Sequence, residues 1–143
     1  MRPALWVGSW GQLDRDRGDM ARSTITVERG YGEVLCERCL VAATFWTRLR
    51  GLLGRKQLPE SEGLLLGQTG SVHTLFMRFP IDAVFLDAED AVVKIAPNLR
   101  PWRFAVARGA ERTLELAAGA CAEAGLVVGE RLVLATEPPR EAA

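Results

Sequence analysis

The chain has a single histidine, a single tyrosine and only two lysines in 143 residues, and its eighteen basic and eighteen acidic side chains cancel. One histidine excludes the multi-histidine metal sites that imidazole-rich proteins build. The charge balance also holds locally. Residues 1–72 carry 10 basic against 8 acidic side chains, and residues 73–143 carry 8 against 10. This leaves no basic footprint for general nucleic-acid binding and no acidic tail. No apolar run approaches the roughly 18–20 residues of a membrane-spanning helix. The first twenty residues are interrupted by Asp14, Arg15, Asp16 and Arg17, so they carry no secretory signal. That favours the cytoplasm, where the three cysteines would stay reduced.

What is present is ordinary for a folded domain: 48% hydrophobic and 25% charged residues, at a length that suits one domain. Sixteen of the eighteen basic side chains are arginine, which makes two-pronged contacts with anions available over much of the surface. The composition and breakers predict a domain over residues 20–136. Residues 1–19 read as a disordered extension or an overlong start, and residues 137–143 as a frayed tail.

Thr24-Ile25-Thr26-Val27-Glu28 alternates polar and apolar, the signature of a half-buried strand, and a second short strand is expected over 33–36. Between residues 43 and 54 the period changes. Phe45, Trp46, Leu49, Leu52 and Leu53 fall on one helical arc, with Thr44 as N-cap and Gly54 as stop. Further strands are expected at 64–66, 71–77, 81–87, 91–96, 113–116 and 131–134, with a loop from Pro97 to Pro101. A short helix fits between Gly119 and Gly125. Many short strands broken by turn residues, with one amphipathic and one short helix, predict a mainly β, sandwich- or barrel-like fold.

Five phrases occur in order: 50–55 (RGLLGR), 71–87 (SVHTLFMRFPIDAVFLD), 99–103 (LRPWR), 114–119 (LELAAG) and 125–130 (GLVVGE). Together they resemble the domain of unknown function 192 family of small bacterial and archaeal proteins, over roughly residues 33–135. The resemblance implies a compact, mostly β fold and no established activity. It also implies relatives that are often exported, some of them beside pilus or secretion genes, so a pilus or secretion-system partner is one expectation.

The candidate site residues are His73, Arg78, Asp82, Trp102 and Arg103. His73 shares a strand face with Ser71, Leu75 and Met77, and Asp82 lies just past the Pro80 turn, where it could orient an imidazole. As structural residues, His73 would bond backbone and Asp82 would accept turn amides. Trp102 stands between Arg100-Pro101 and Arg103, a stiff loop able to stack a ring and grip an anion, or else to act as a lid over the barrel end. These groups at one mouth of the β structure suit a small polar or anionic ligand, a glycan fragment or a partner peptide. A binding or accessory module is therefore favoured over a small enzyme, such as a hydrolase, in which His73 serves as acid/base beside Asp82.

Cys36 and Cys39 form a C-x-x-C pair, which raises a zinc-stabilised or redox protein as a further alternative. A four-ligand zinc would need Cys121 and His73 as well, and Cys121 stands in an alanine-rich segment without a nearby second ligand. A thioredoxin-like pair would open a helix in a βαβ setting, and the predicted helix starts several residues later. The sequence thus calls for no cofactor. Purified protein is expected to contain no stoichiometric zinc and to unfold identically with and without chelator. One equivalent of zinc by elemental analysis would overturn this.

Overall fold

The computed structural model describes residues 24–42, 58, 62–75 and 77–136. The expected helix over 43–54, the extension 1–19 and the tail 137–143 lie outside them. Alternation in the first segment produces strand β1 (Thr24–Arg29), with Ile25 and Val27 buried. Then come β2 (Val34–Ala42), β3 (Glu62–Gly67), β4 (Ser71–His73), β5 (Ile81–Leu86), β6 (Val92–Leu99), β7 (Phe104–Val106) and β8 (Arg112–Ala117). A short helix α1 (Ala120–Ala124) and β9 (Leu132–Thr136) complete the described chain. The fold is mainly β, as the strand pattern predicts.

Seven strands form one sheet in the order β6-β5-β8-β3-β2-β1-β9, antiparallel except for β2 beside β3. The sheet curls until its two outer strands meet at one end. Ala91 bridges Arg131 there, Val92 N–H donates to the Glu130 carbonyl (2.8 Å) and Leu132 N–H to that of Asp90 (2.9 Å). The result is a half-barrel. Its concave side holds one apolar cluster that includes Val27, Val41, Leu65, Val84 and Leu114. A second cluster of Leu64, Leu66, Ile81, Phe85 and Phe79 fills the convex side, where Val72 of a separate two-stranded ribbon, β4 with β7, and Ala107 just past that ribbon cover it. Both faces of β5 are therefore buried, which is why 81–86 reads as a nearly continuous apolar run.

The larger departures from the expected strand boundaries have local reasons. Strand β2 runs on to Ala42 because it is hydrogen-bonded on both sides, to β1 and β3. A bulge lies within it: Ile25 and Val27 of β1 face Cys39 and Cys36, so three steps of β2 oppose two of β1. Cys36 and Cys39 would otherwise alternate; here both turn into the concave core, buried and not joined in a disulfide. Strand β6 continues through Pro97, which an outer strand tolerates because no neighbour needs its missing N–H. Strand β4 stops at His73 instead of running to Met77, because Thr74 leaves the ladder. Strand β7 lies beyond the expected Pro97–Pro101 loop, where no strand is expected.

Two polar knots hold the half-barrel. Asp82 of β5 is fully buried. Its Oδ1 accepts from the amides of Asn98 (2.8 Å) and Gly119 (3.1 Å), and its Oδ2 from that of Cys121 (2.9 Å), joining β5, the irregular end of β6 and the start of α1. Arg29, only 6% exposed, grips both carboxylate oxygens of Glu130 at 2.6 and 2.7 Å. It also donates to the Ala124 and Gly125 carbonyls at the end of α1 and lies over the Tyr31 ring. Lysine cannot reproduce that fork. Both Arg29→Ala and Arg29→Lys are expected to lower the melting temperature, and a lysine variant as stable as wild type would show the fork to be dispensable.

Burial, reinforced by the adjacent Asp82 charge and a hydrogen bond to it, pushes the Cys121 thiol up from 9.0 to about 12. Burial and the neighbouring Cys36 raise Cys39 likewise. A raised thiol keeps its proton in the folded state after the unfolded chain has lost it, so its contribution is intact below pH 9 and fades from there towards 12. Stability measured by urea unfolding should decline over that interval, and Cys121→Ala should flatten the decline.

Candidate functional site

The ribbon pairs Ser71 with Val106, Val72 with Ala105 and His73 with Phe104. Directly opposed residues share a face. Val72 therefore points with Ala105 towards the convex cluster, while Ser71, His73, Phe104 and Val106 face away from it. The alternation expected for 71–77 is kept as far as Leu75, with Val72 and Thr74 buried and Ser71 and Leu75 exposed. Met77, expected on the face of His73, is instead buried in the convex cluster because the strand ends at His73.

Thr74 is the residue that shapes the face. It has no exposed surface, and its hydroxyl donates to the Arg100 carbonyl at 2.5 Å while accepting from the Arg103 amide at 2.9 Å. Its own N–H donates to the Arg103 carbonyl (2.8 Å), and its carbonyl accepts from the Trp102 amide (3.0 Å). The loop from Arg100 to Arg103 is thereby pinned from three directions beside His73. Within it Trp102 takes a left-handed backbone conformation, φ +64°. That region is uncommon for a bulky side chain and costs about 1–3 kcal/mol, which the surrounding bonds must offset. The indole is 57% exposed despite this fixation.

An open, mostly apolar cleft of about 230 Å³ results, lined by Ser71, Val72, His73, Leu75, Trp102, Arg103 and Phe104. Three sequence candidates, His73, Trp102 and Arg103, are brought together there. Arg78 is exposed but does not line the cleft, and Asp82 lies buried with its oxygens on three backbone amides. The cleft sits on the ribbon's outer face, not at a mouth of the half-barrel. Thr74, Leu75 and Phe104 were not singled out from sequence. The alternation of 71–75 already pointed Leu75 outward with His73. The Thr74 bonds, by contrast, join residues about 29 positions apart and leave no local signal. The pairing of Phe104 with His73 is equally non-local. The cleft offers an indole, an imidazole and a guanidinium beside the apolar Leu75 and Phe104, a set suited to holding a ring or apolar side chain beside a negative charge. Among the described residues no group of three or more His, Cys, Asp and Glu side chains is placed to hold a metal, and no helix is long and apolar enough to cross a membrane.

Comparison with known proteins agrees with the fold. A UPF0127 protein of Thermococcus sibiricus is 30% identical over 121 residues, covering 81% of this chain and 78% of that protein. A UPF0127 protein of Pyrococcus furiosus is 38% identical over 95 residues, covering 64% and 81%. The crystal structure of a protein of unknown function from Novosphingobium aromaticivorans superposes with a TM-score of 0.64 at 25% identity, over 76% of this chain and 82% of that one. The DUF192 family model, described as an uncharacterized ACR, matches residues 24–134. The chain belongs to the DUF192 family.

Proposed function

We propose that this protein is a binding module, and that the ribbon cleft takes a ring or an apolar side chain carried by an anionic ligand or partner. The observation that carries this reading is Trp102: a large aromatic held at positive φ by a buried threonine, yet more than half exposed beside His73 and Arg103. Backbone strain locked in around an exposed ring pre-positions that ring for a ligand. Arg103 supplies fixed positive charge and His73 a hydrogen-bonding edge. An acid/base role for His73 would need a second group in the cleft, and the Asp82 carboxylate is committed elsewhere.

A thermal-shift screen of sugar acids, aromatic carboxylates and neutral sugars tests the reading, because any ligand selective for the folded state raises the melting temperature by mass action. Anionic ring compounds are expected to stabilise the wild type. Trp102→Ala should lose that shift while its own melting temperature stays close to wild type. Thr74→Val should lose it too and also cost about 1–3 kcal/mol of stability, having removed a buried hydroxyl's bonds. A shift that survives in Trp102→Ala would move the binding site off the ribbon.

A further inference from the structure

The cleft is only the centre of a larger feature. Residues 67–81 and 91–110, which build the ribbon and its approaches, contain no aspartate or glutamate. They carry Arg78, Lys94, Arg100, Arg103 and Arg108, all exposed. In a chain whose charges cancel overall, these two stretches carry only positive charge, bordered by Glu111, whose carbonyl accepts from the Thr69 amide. Lys94 is held by a bond from its Nζ to the Val106 carbonyl of β7 (2.8 Å), and Arg103 lines the cleft itself. Inside this basic rim lie exposed apolar side chains: Phe104 (71%), Val106 (49%) and Leu75 (38%), beside Trp102.

The dimensions distinguish the kinds of occupant. Sites for drug-sized ligands occupy roughly 300–1,000 Å³. At about 230 Å³ the cleft, part of whose lining is Phe104, holds one ring or one side chain, and the exposed Val106 lies outside it. An occupant that covers the whole face must extend beyond the cleft. Strands of nucleic acid would use the arginines and stack on Trp102 and Phe104, but would gain little from the aliphatic Leu75 and Val106. A polypeptide uses all of them: one large side chain in the cleft, neighbouring apolar groups on Leu75 and Val106, and carboxylates at the rim.

Resting on the binding role assigned to the cleft above, we infer that the ribbon face docks an acidic protein segment that seats one aromatic side chain against Trp102. Rim charges of this kind speed encounter and select the partner, while the buried aromatic and arginine contacts supply most of the affinity. The class of partner follows from the charge and shape of the face.

Fluorescence anisotropy with labelled probes tests this on the full chain. The probes are a peptide with one tryptophan between two runs of glutamate, the same peptide with alanine for tryptophan, the same peptide with lysine for glutamate, and an oligothymidylate. The acidic tryptophan peptide is expected to bind in a salt-sensitive manner. Its affinity should fall by about tenfold or more with the alanine peptide or in Trp102→Ala, and by a similar factor in the Arg103→Glu, Lys94→Glu double variant. The lysine peptide should not bind. Equal binding of the alanine peptide would reduce the face to a non-specific cation surface, and tighter binding of oligothymidylate would make it a nucleic-acid surface. If no peptide binds while small anionic rings still shift the wild type and not Trp102→Ala, the cleft's binding role stands and the docking inference fails.

Discussion

A carboxylate taken fully out of water must be met by donors, and the buried Asp82 sets much of this structure by that requirement. Its three amide partners come from β6 and from the start of α1. To present the Asn98 amide, β6 breaks register against β5 and Asn98 itself turns to φ +49°. That irregularity ends the strand at Leu99 and delivers the chain into the Arg100–Arg103 loop. Thr74 then captures the loop and fixes Trp102. A demand for charge solvation in the core is thus transmitted, bond by bond, to the position of an exposed indole.

The same chain of contacts explains what could be read from the sequence. Period-two alternation is local, so β1, the β5–β6 hairpin and the short helix between two glycines were legible. The β2 bulge was not, because it depends on which residues of β1 lie opposite, and neither was β7, whose three residues are a strand only because β4 lies beside them. Residue chemistry pointed to His73, Trp102 and Arg103, since a lone imidazole and a proline-stiffened tryptophan between arginines are conspicuous. It did not point to Thr74, which is an unexceptional strand residue until its distant carbonyl partners are known. Asp82 illustrates the opposite difficulty. From sequence it suits equally a site carboxylate and an acceptor for turn amides, and only three dimensions show where its oxygens lie.

The two layers divide labour. The curled sheet is closed at one end by the Ala91–Arg131 bridge and by the Arg29 grip on Glu130 and the carbonyls of α1, which together tie β1, the approach to β9 and the helix. The ribbon contributes little to that closure. Its inward residues Val72 and Ala105 pack on the convex cluster, and its outward residues are exposed or half-buried. A rigid sheet beneath and a thin ribbon above allow the outer face to vary in side chains without disturbing the core.

The open length of β6 has its own consequence. An outer strand with unsatisfied backbone groups is a template on which another molecule's strand can grow, the first step towards fibrous aggregates. Along β6 the exposed positions include Lys94 and Pro97, and the strand ends in a bulge at Asn98. A lysine must be desolvated before a neighbour can approach, a proline offers no N–H to pair with, and a bulge twists the edge away from a flat partner. Along the described residues of β6, each of these features works against growth of a second strand on that edge.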